Sequence, residues 1–220
     1  MNSEKIKTLP RPLIKSILML CLATAVIGVS LGSLAAAYEL PLWIPVLLAA
    51  TVLAGAAEFT FIGMIAAGSS PVTAALAGLV INLRHLAFGC AISGFIASNR
   101  LKFIACHIMN DESVLFGLSQ QSIELKRAAY WICGIGILFA WPAGVVLGYF
   151  LGSSLPYAKA LGIDAIFPAV LFALTFKALK RMETRKSAIS GALISIAAFP
   201  LLPAGLPVLA SLLGLYIGRK

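Results

Sequence analysis

Runs of about 20 predominantly apolar residues, enough to cross a hydrocarbon layer about 30 Å thick, recur along this chain and limit its folds more than any other feature. The clearest fall at about residues 15 to 37, 42 to 67, 71 to 97 and 128 to 151, and a fifth runs from about 163 to 179. With 60% of 220 residues hydrophobic and 11% charged, there are too few polar side chains to clothe a globular surface, so lipid is the solvent for most of the protein. The expected fold is an all-α, polytopic transmembrane helical bundle: one membrane domain over residues 1–220, with no separate catalytic module. The first run continues to about Ala37, which makes it longer than a signal-peptide core and therefore the first span.

Three stretches are shorter or interrupted. Residues 103 to 118 carry Asn110, Asp111 and Glu112, whereas 187 to 203 and 206 to 218 are broken by Pro200, Pro203 and Pro207 and read as candidate half-helices. The net charge of +9 comes from Lys and Arg placed at the ends of apolar runs: Lys5, Lys7, Arg11 and Lys15 before the first span, Lys177, Lys180, Arg181, Arg185 and Lys186 in a late loop, and Arg219 with Lys220 at the end. By the positive-inside rule all three clusters are cytoplasmic. Residues 1–14 are then a basic cytoplasmic segment, and parity makes 103 to 118 cross the membrane, giving seven or eight crossings, although Arg100 and Lys102 are then left outside. Aromatic residues are not interleaved with the basic clusters as they are on a stacking platform for bases, so no nucleic-acid partner is expected. Cys21, Cys90, Cys106 and Cys133 lie in apolar runs without CxxC spacing, which points to packing and away from disulfides or structural zinc. No metal or other cofactor is expected.

Small residues at AGAA 54–57, Gly78, Gly89, Gly134 and Gly136 suit close helix approach, and Pro142 after Trp141 predicts a kink in its span. The residues that carry chemistry are polar ones at membrane depth, where an ionised group costs about 2.5–3.5 kcal/mol on insertion scales. Arg84 is central in its span, Glu58 lies a little past the middle of the preceding one, and Asn82 and His85 flank the arginine. Helical geometry puts Gly78, Asn82, His85 and Gly89 on one stripe and turns Arg84 about 100° from His85, toward Glu58, Asp111 or Glu112 as counter-charge. A buried pair that only fixes helix register is the plainer alternative to a substrate or proton site. In the third polar cluster, His107 to Ser113, Asn110 or Asp111 can cap a helix starting near Glu112. A half-helix start at depth offers free N–H groups to an anion; the plainer alternative is an N-cap at the membrane surface.

An apolar amino acid at membrane depth needs an anion for its ammonium, a cation or helix start for its carboxylate, and an apolar pocket. Glu58 or Asp111 can supply the first, Arg84 or the backbone near Glu112 the second, and Phe59, Phe61 or Phe88 the third, while His85 is a natural proton carrier. A membrane-embedded enzyme using His85, His107, Asp111 and Glu112 is the competing class, but HExxH and a polar loop large enough to bind a soluble substrate are absent. A channel and a structural or sensory partner are further alternatives.

GAAEF at 55–59, GSSP at 68–71, NLRHLAFG at 82–89 and NDE at 110–112, in this order and spacing, resemble the AzlC family of large membrane subunits of bacterial branched-chain amino acid exporters. The resemblance implies proton-driven export of branched-chain or similar apolar amino acids from the bacterial inner membrane, together with a small membrane subunit of the AzlD type. The expected substrate-binding residues are Glu58, Phe59, Asn82, Arg84, Phe88, Asp111 and Glu112, and the expected proton-coupling residues are Glu58, His85 and Asp111. Relatives that carry Gln in place of Glu58 argue that a charge there is not essential to the shared mechanism.

Overall fold

A computed structural model describes residues 10–96, 101–154, 176, 179–202 and 206–217, and among these every regular element is helical. The expected span at 163 to 179 and the residues Lys5, Lys7, Arg100, Lys177, Pro203, Arg219 and Lys220 lie outside the described residues, apart from Phe176 and Leu179 within that span. Among the described residues, three helical stretches are long and apolar enough to cross a membrane: Arg11–Ala37, Pro71–Ile92 and Ile123–Ser154. A crossing number of seven or eight is not established by these three.

Helix α1 (Arg11–Ala37) starts behind Pro10 and takes Pro12 into its first turn, where a missing N–H costs nothing. Its 27 residues reach about 40 Å at 1.5 Å per residue. Helix α8 (Ile123–Ser154) is longer, with 32 residues, and stays helical through Pro142. These two helices form the scaffold, and glycines let them touch. A methyl group built on Gly28 would stand 2.8 Å from the Trp141 carbonyl, one on Gly136 2.6 Å from Cys21 Sγ, and one on Gly152 2.8 Å from Ser33 Cα. Gly144 lies against Ala25 and Gly148 against Val29, so the contact advances in the same direction along both helices. The pair is therefore parallel. Ser33 Oγ donates to the Gly148 carbonyl at 2.8 Å, and Tyr149 Oη near the end of α8 donates to Leu40 just past the end of α1 at 2.8 Å.

The expected span at 42 to 67 is broken at its centre. It consists of α2 (Trp43–Thr51) and α3 (Gly55–Ala66), separated by Val52, Leu53 and Ala54, with Leu53 at φ 49°. Helices α4 (Pro71–Asn82) and α5 (Arg84–Ile92) continue each other through Leu83, whose dihedrals stay helical. Ser70 caps α4 by accepting from Thr73 N, and Pro71 opens it. Gly78 lies 3.6 Å from the Ala57 carbonyl when given a methyl group, which locates the α3–α4 contact, whereas Gly89 meets nothing within 4 Å among the described residues.

The stretch at 103 to 118 is also two pieces, α6 (Lys102–His107) and α7 (Asp111–Leu118). With 6 and 8 residues these reach only about 9 and 12 Å, so neither crosses the membrane alone. They are fixed to α8 by Tyr130 Oη donating to the Ala105 carbonyl at 2.6 Å and by Ile108 packed over Gly134, and Arg127 Nε ties α8 to the Phe95 carbonyl at 2.9 Å. Near the end of the chain, α9 (Met182–Ala198) stops just before Pro200. It packs against a broken return of α10 (Leu206–Ala210), a 3-10 turn (Ser211–Leu213) and α11 (Gly214–Ile217), where Gly191 and Gly214 meet.

Candidate functional site

Both helix breaks open onto one cavity. It holds about 350 Å³, at the small end of the range for solute pockets. Thr24 near the middle of α1 and Ile137 and Trp141 near the middle of α8 line it, which sets it at mid-depth in the bundle. Its polar part is supplied by Arg84 at the start of α5 and by Asn110, Asp111 and Glu112 at the start of α7. Leu53, Ala54, Gly55 and Ala56 bring the start of α3 to the same space.

The start of α7 is built by a reciprocal cap. Asn110 Oδ1 accepts from Ser113 N at 2.8 Å, and Ser113 Oγ accepts from Asn110 N at 3.0 Å, so two orphan amides of the first turn are satisfied. The amide of Asp111 finds no backbone acceptor among the described residues. At the start of α3 the cap is a single carboxylate. Glu58 Oε1 reaches back to Ala54 N at 2.8 Å, while Oε2 accepts from Trp141 Nε1 at 2.9 Å, and the side chain is fully buried. The amides of Gly55 and Ala56, unlike those of Ala57 and Glu58, find no backbone acceptor among the described residues.

Arg84 takes Asp111 as its counter-charge, with Nη2 2.8 Å from Oδ2. This choice among the three acidic candidates follows from the α7 cap, which points Asp111 across to α5. Arg84 Nε and Asn110 Nδ2 are buried with no hydrogen-bond partner among the described residues. Glu112 stands beside this pair and makes no salt bridge among the described residues. The opposite wall is apolar, formed by Ile27, Leu53, Phe59, Ile137 and Trp141. One side of the cavity thus offers a cation, a spare carboxylate and two helix starts, and the other offers hydrocarbon and ring edges.

Of the residues singled out in the sequence, the cavity gathers Phe59, Arg84, Asp111 and Glu112. Glu58 stands behind the wall, in contact with Trp141 and Ala54. Asn82 ends α4, and its carbonyl lies 3.0 Å from His85 Nδ1, while its own side-chain oxygen is buried without a partner among the described residues. His85 rests edge-on against Phe88, ring centres 5.6 Å apart, and neither residue lines the cavity. Phe61 faces a separate apolar recess with Trp43 and Pro71. Among the described residues no three His, Cys, Asp or Glu side chains gather as metal ligands. The wall residues missed in the sequence are Trp141, Gly55 and the aliphatic side chains. A tryptophan N–H in mid-span needs an acceptor, and Glu58 needed a donor, so that pairing had a signal.

Membrane-spanning helices around a mid-depth cavity with polar and apolar halves define a helical membrane protein with room for a small solute inside. A family model described as AzlC protein matches residues 19–155, from α1 to the end of α8, and the chain belongs to that family. The family is one of membrane transporters that work with a partner subunit. No curated relative and no solved structure matches the chain.

Proposed function

We propose that the protein exports branched-chain or similar apolar amino acids across the bacterial inner membrane, coupled to protons, as the large subunit of a two-part permease with a small AzlD-type partner. The observation that carries this reading is the two-sided cavity: a zwitterion needs both charges met and an apolar pocket for its side chain. The ammonium goes to Glu112, the acid that makes no salt bridge with Arg84 among the described residues. The carboxylate goes to the unbonded amides at the start of α3 and to Arg84, where a helix start favours an anion. Phe59, Ile27 and Ile137 take the side chain. Asn82 and Phe88 support Arg84 and His85 from α4 and α5, and proton coupling is assigned to Asp111 and His85. The N-terminus is cytoplasmic, in keeping with Arg11 and Lys15 ahead of the first span.

Efflux from cells loaded with valine- or leucine-containing dipeptides tests the reading. Wild-type cells should clear the free amino acid faster than cells lacking the protein. Arg84→Ala, at equal membrane abundance, should lower the rate at least tenfold, the scale of one lost charged contact of about 1.4 kcal/mol or more. Efflux undiminished in Arg84→Ala would remove the cavity from the transport path.

A further inference from the structure

Glu58 is fully buried, yet it does not line the mid-depth cavity; both its oxygens are used within the protein. Its bond to Trp141 Nε1 is 2.9 Å long and joins residues 83 positions apart in the chain. Through one carboxylate, the break before α3 is tied to the middle of α8.

Trp141 itself lines the cavity and is 5% exposed. The six-membered edge of its indole closes on Gly55, where an added methyl group would stand 3.1 Å from Cη2 and 3.3 Å from Cζ2. On another side the ring meets Phe59 edge-on, centres 6.3 Å apart. The indole is thus held at its polar edge by Glu58 and packed along its apolar edge against α3. Its aliphatic companions Ile27, Leu53 and Ile137 are free of any such polar tether and can change rotamer to suit a guest. A pinned ring cannot.

We propose that Trp141 sets how large a side chain the cavity admits, and that Glu58 is a positioning residue that acts on the cargo only by holding that indole, with Gly55 leaving the room the ring needs. This rests on the amino-acid reading of the cavity and names its size-selecting wall.

The test measures export of alanine, valine and phenylalanine by the full chain in its own host membrane, with each variant at matched abundance. Trp141→Phe, with a smaller ring and no N–H, should shift preference toward phenylalanine by roughly tenfold relative to valine, the scale of a methylene-sized change in an apolar pocket. Gly55→Ala should shift preference toward alanine, since the tethered ring must be pushed into the cavity. Glu58→Met, of similar length but with no acceptor oxygen, should reproduce the Trp141→Phe profile, and the double variant should be no more altered than either single one, because both remove the same bond. If Glu58→Met does not insert, the opposite shifts of Trp141→Phe and Gly55→Ala decide the matter. Unchanged cargo profiles in those two variants, with wild-type export intact, would overturn the proposal. So would a Glu58→Met protein that loses export of every cargo equally while Trp141→Phe does not, since the carboxyl would then act in transport itself. A wild-type chain that exports none of the three amino acids sinks the amino-acid reading first, a result distinct from an unshifted profile, and takes the size filter with it.

Discussion

Arginine at the centre of a span is tolerable only with an acceptor in reach, and Asp111 provides it at 2.8 Å. A pair of this kind can exist for packing alone, and a charge exchange separates the two roles. Arg84→Asp and Asp111→Arg should each reduce the amount of protein in the membrane, as like charges then face each other. The combined exchange should restore abundance on an immunoblot, because the pair is re-formed, and still leave efflux at least tenfold below wild type, because the carboxylate site has lost its cation. Full recovery of efflux would make the pair a register device only. At this scale the sequence was informative about type and incomplete about place. Arg84, Asp111 and Glu112 stood out because charge in hydrocarbon is conspicuous, but the choice of Asp111 over Glu58 depended on a cap that turns one helix start toward another. Trp141 was silent because an indole in an apolar run looks like packing until its acceptor is located.

Short helices at mid-depth owe their existence to their caps. The break at Asn110 is legible as a polar run, N-D-E-S, that can only start a helix. Removing the cap with Asn110→Ala should lower stability in detergent by about 1–2 kcal/mol, read as a lower melting temperature. Asn110→Thr, which keeps an acceptor oxygen, should lose less than half of that. The break before α3 is not legible, because VLAGAA is apolar throughout and the interruption is fixed by Glu58 reaching back four residues and across to α8. The small residues at Gly78, Gly134 and Gly136 do mark helix contacts, but the tightest ones between α1 and α8 fall on Gly32, Gly144 and Gly148. Gly148→Leu should therefore destabilise the fold by about 1–3 kcal/mol or prevent its accumulation. Gly89→Leu, at a position open among the described residues, should accumulate normally by immunoblot.

Taken whole, the bundle has a direction that the sequence could only infer from charge. Helices α1 and α8 run parallel, so the chain enters both from the same face. If 43–66 and 71–92 each traverse the membrane, the stretch containing α6 and α7 has to carry the chain back, as charge parity requires, by two half-length helices instead of one span. Reagents confined to one side should thus modify Ser122→Cys from the face that carries the N-terminus, and Glu39→Cys from the other. Modification of both from one face would contradict the parallel pair. Helical class and membrane location were plain from apolar runs alone; the crossing count was not, since length and hydropathy do not say which runs are broken.

The central claim is that a mid-depth cavity holds the amino acid, and Ala56 at the start of α3 reports on it. With Cys21, Cys90, Cys106 and Cys133 replaced by Ala, Ala56→Cys should react with a small, membrane-impermeant thiol reagent, and leucine or valine should slow that reaction while a sugar should not. Reaction at a rate indifferent to the amino acid, or no reaction from either face, would contradict the account.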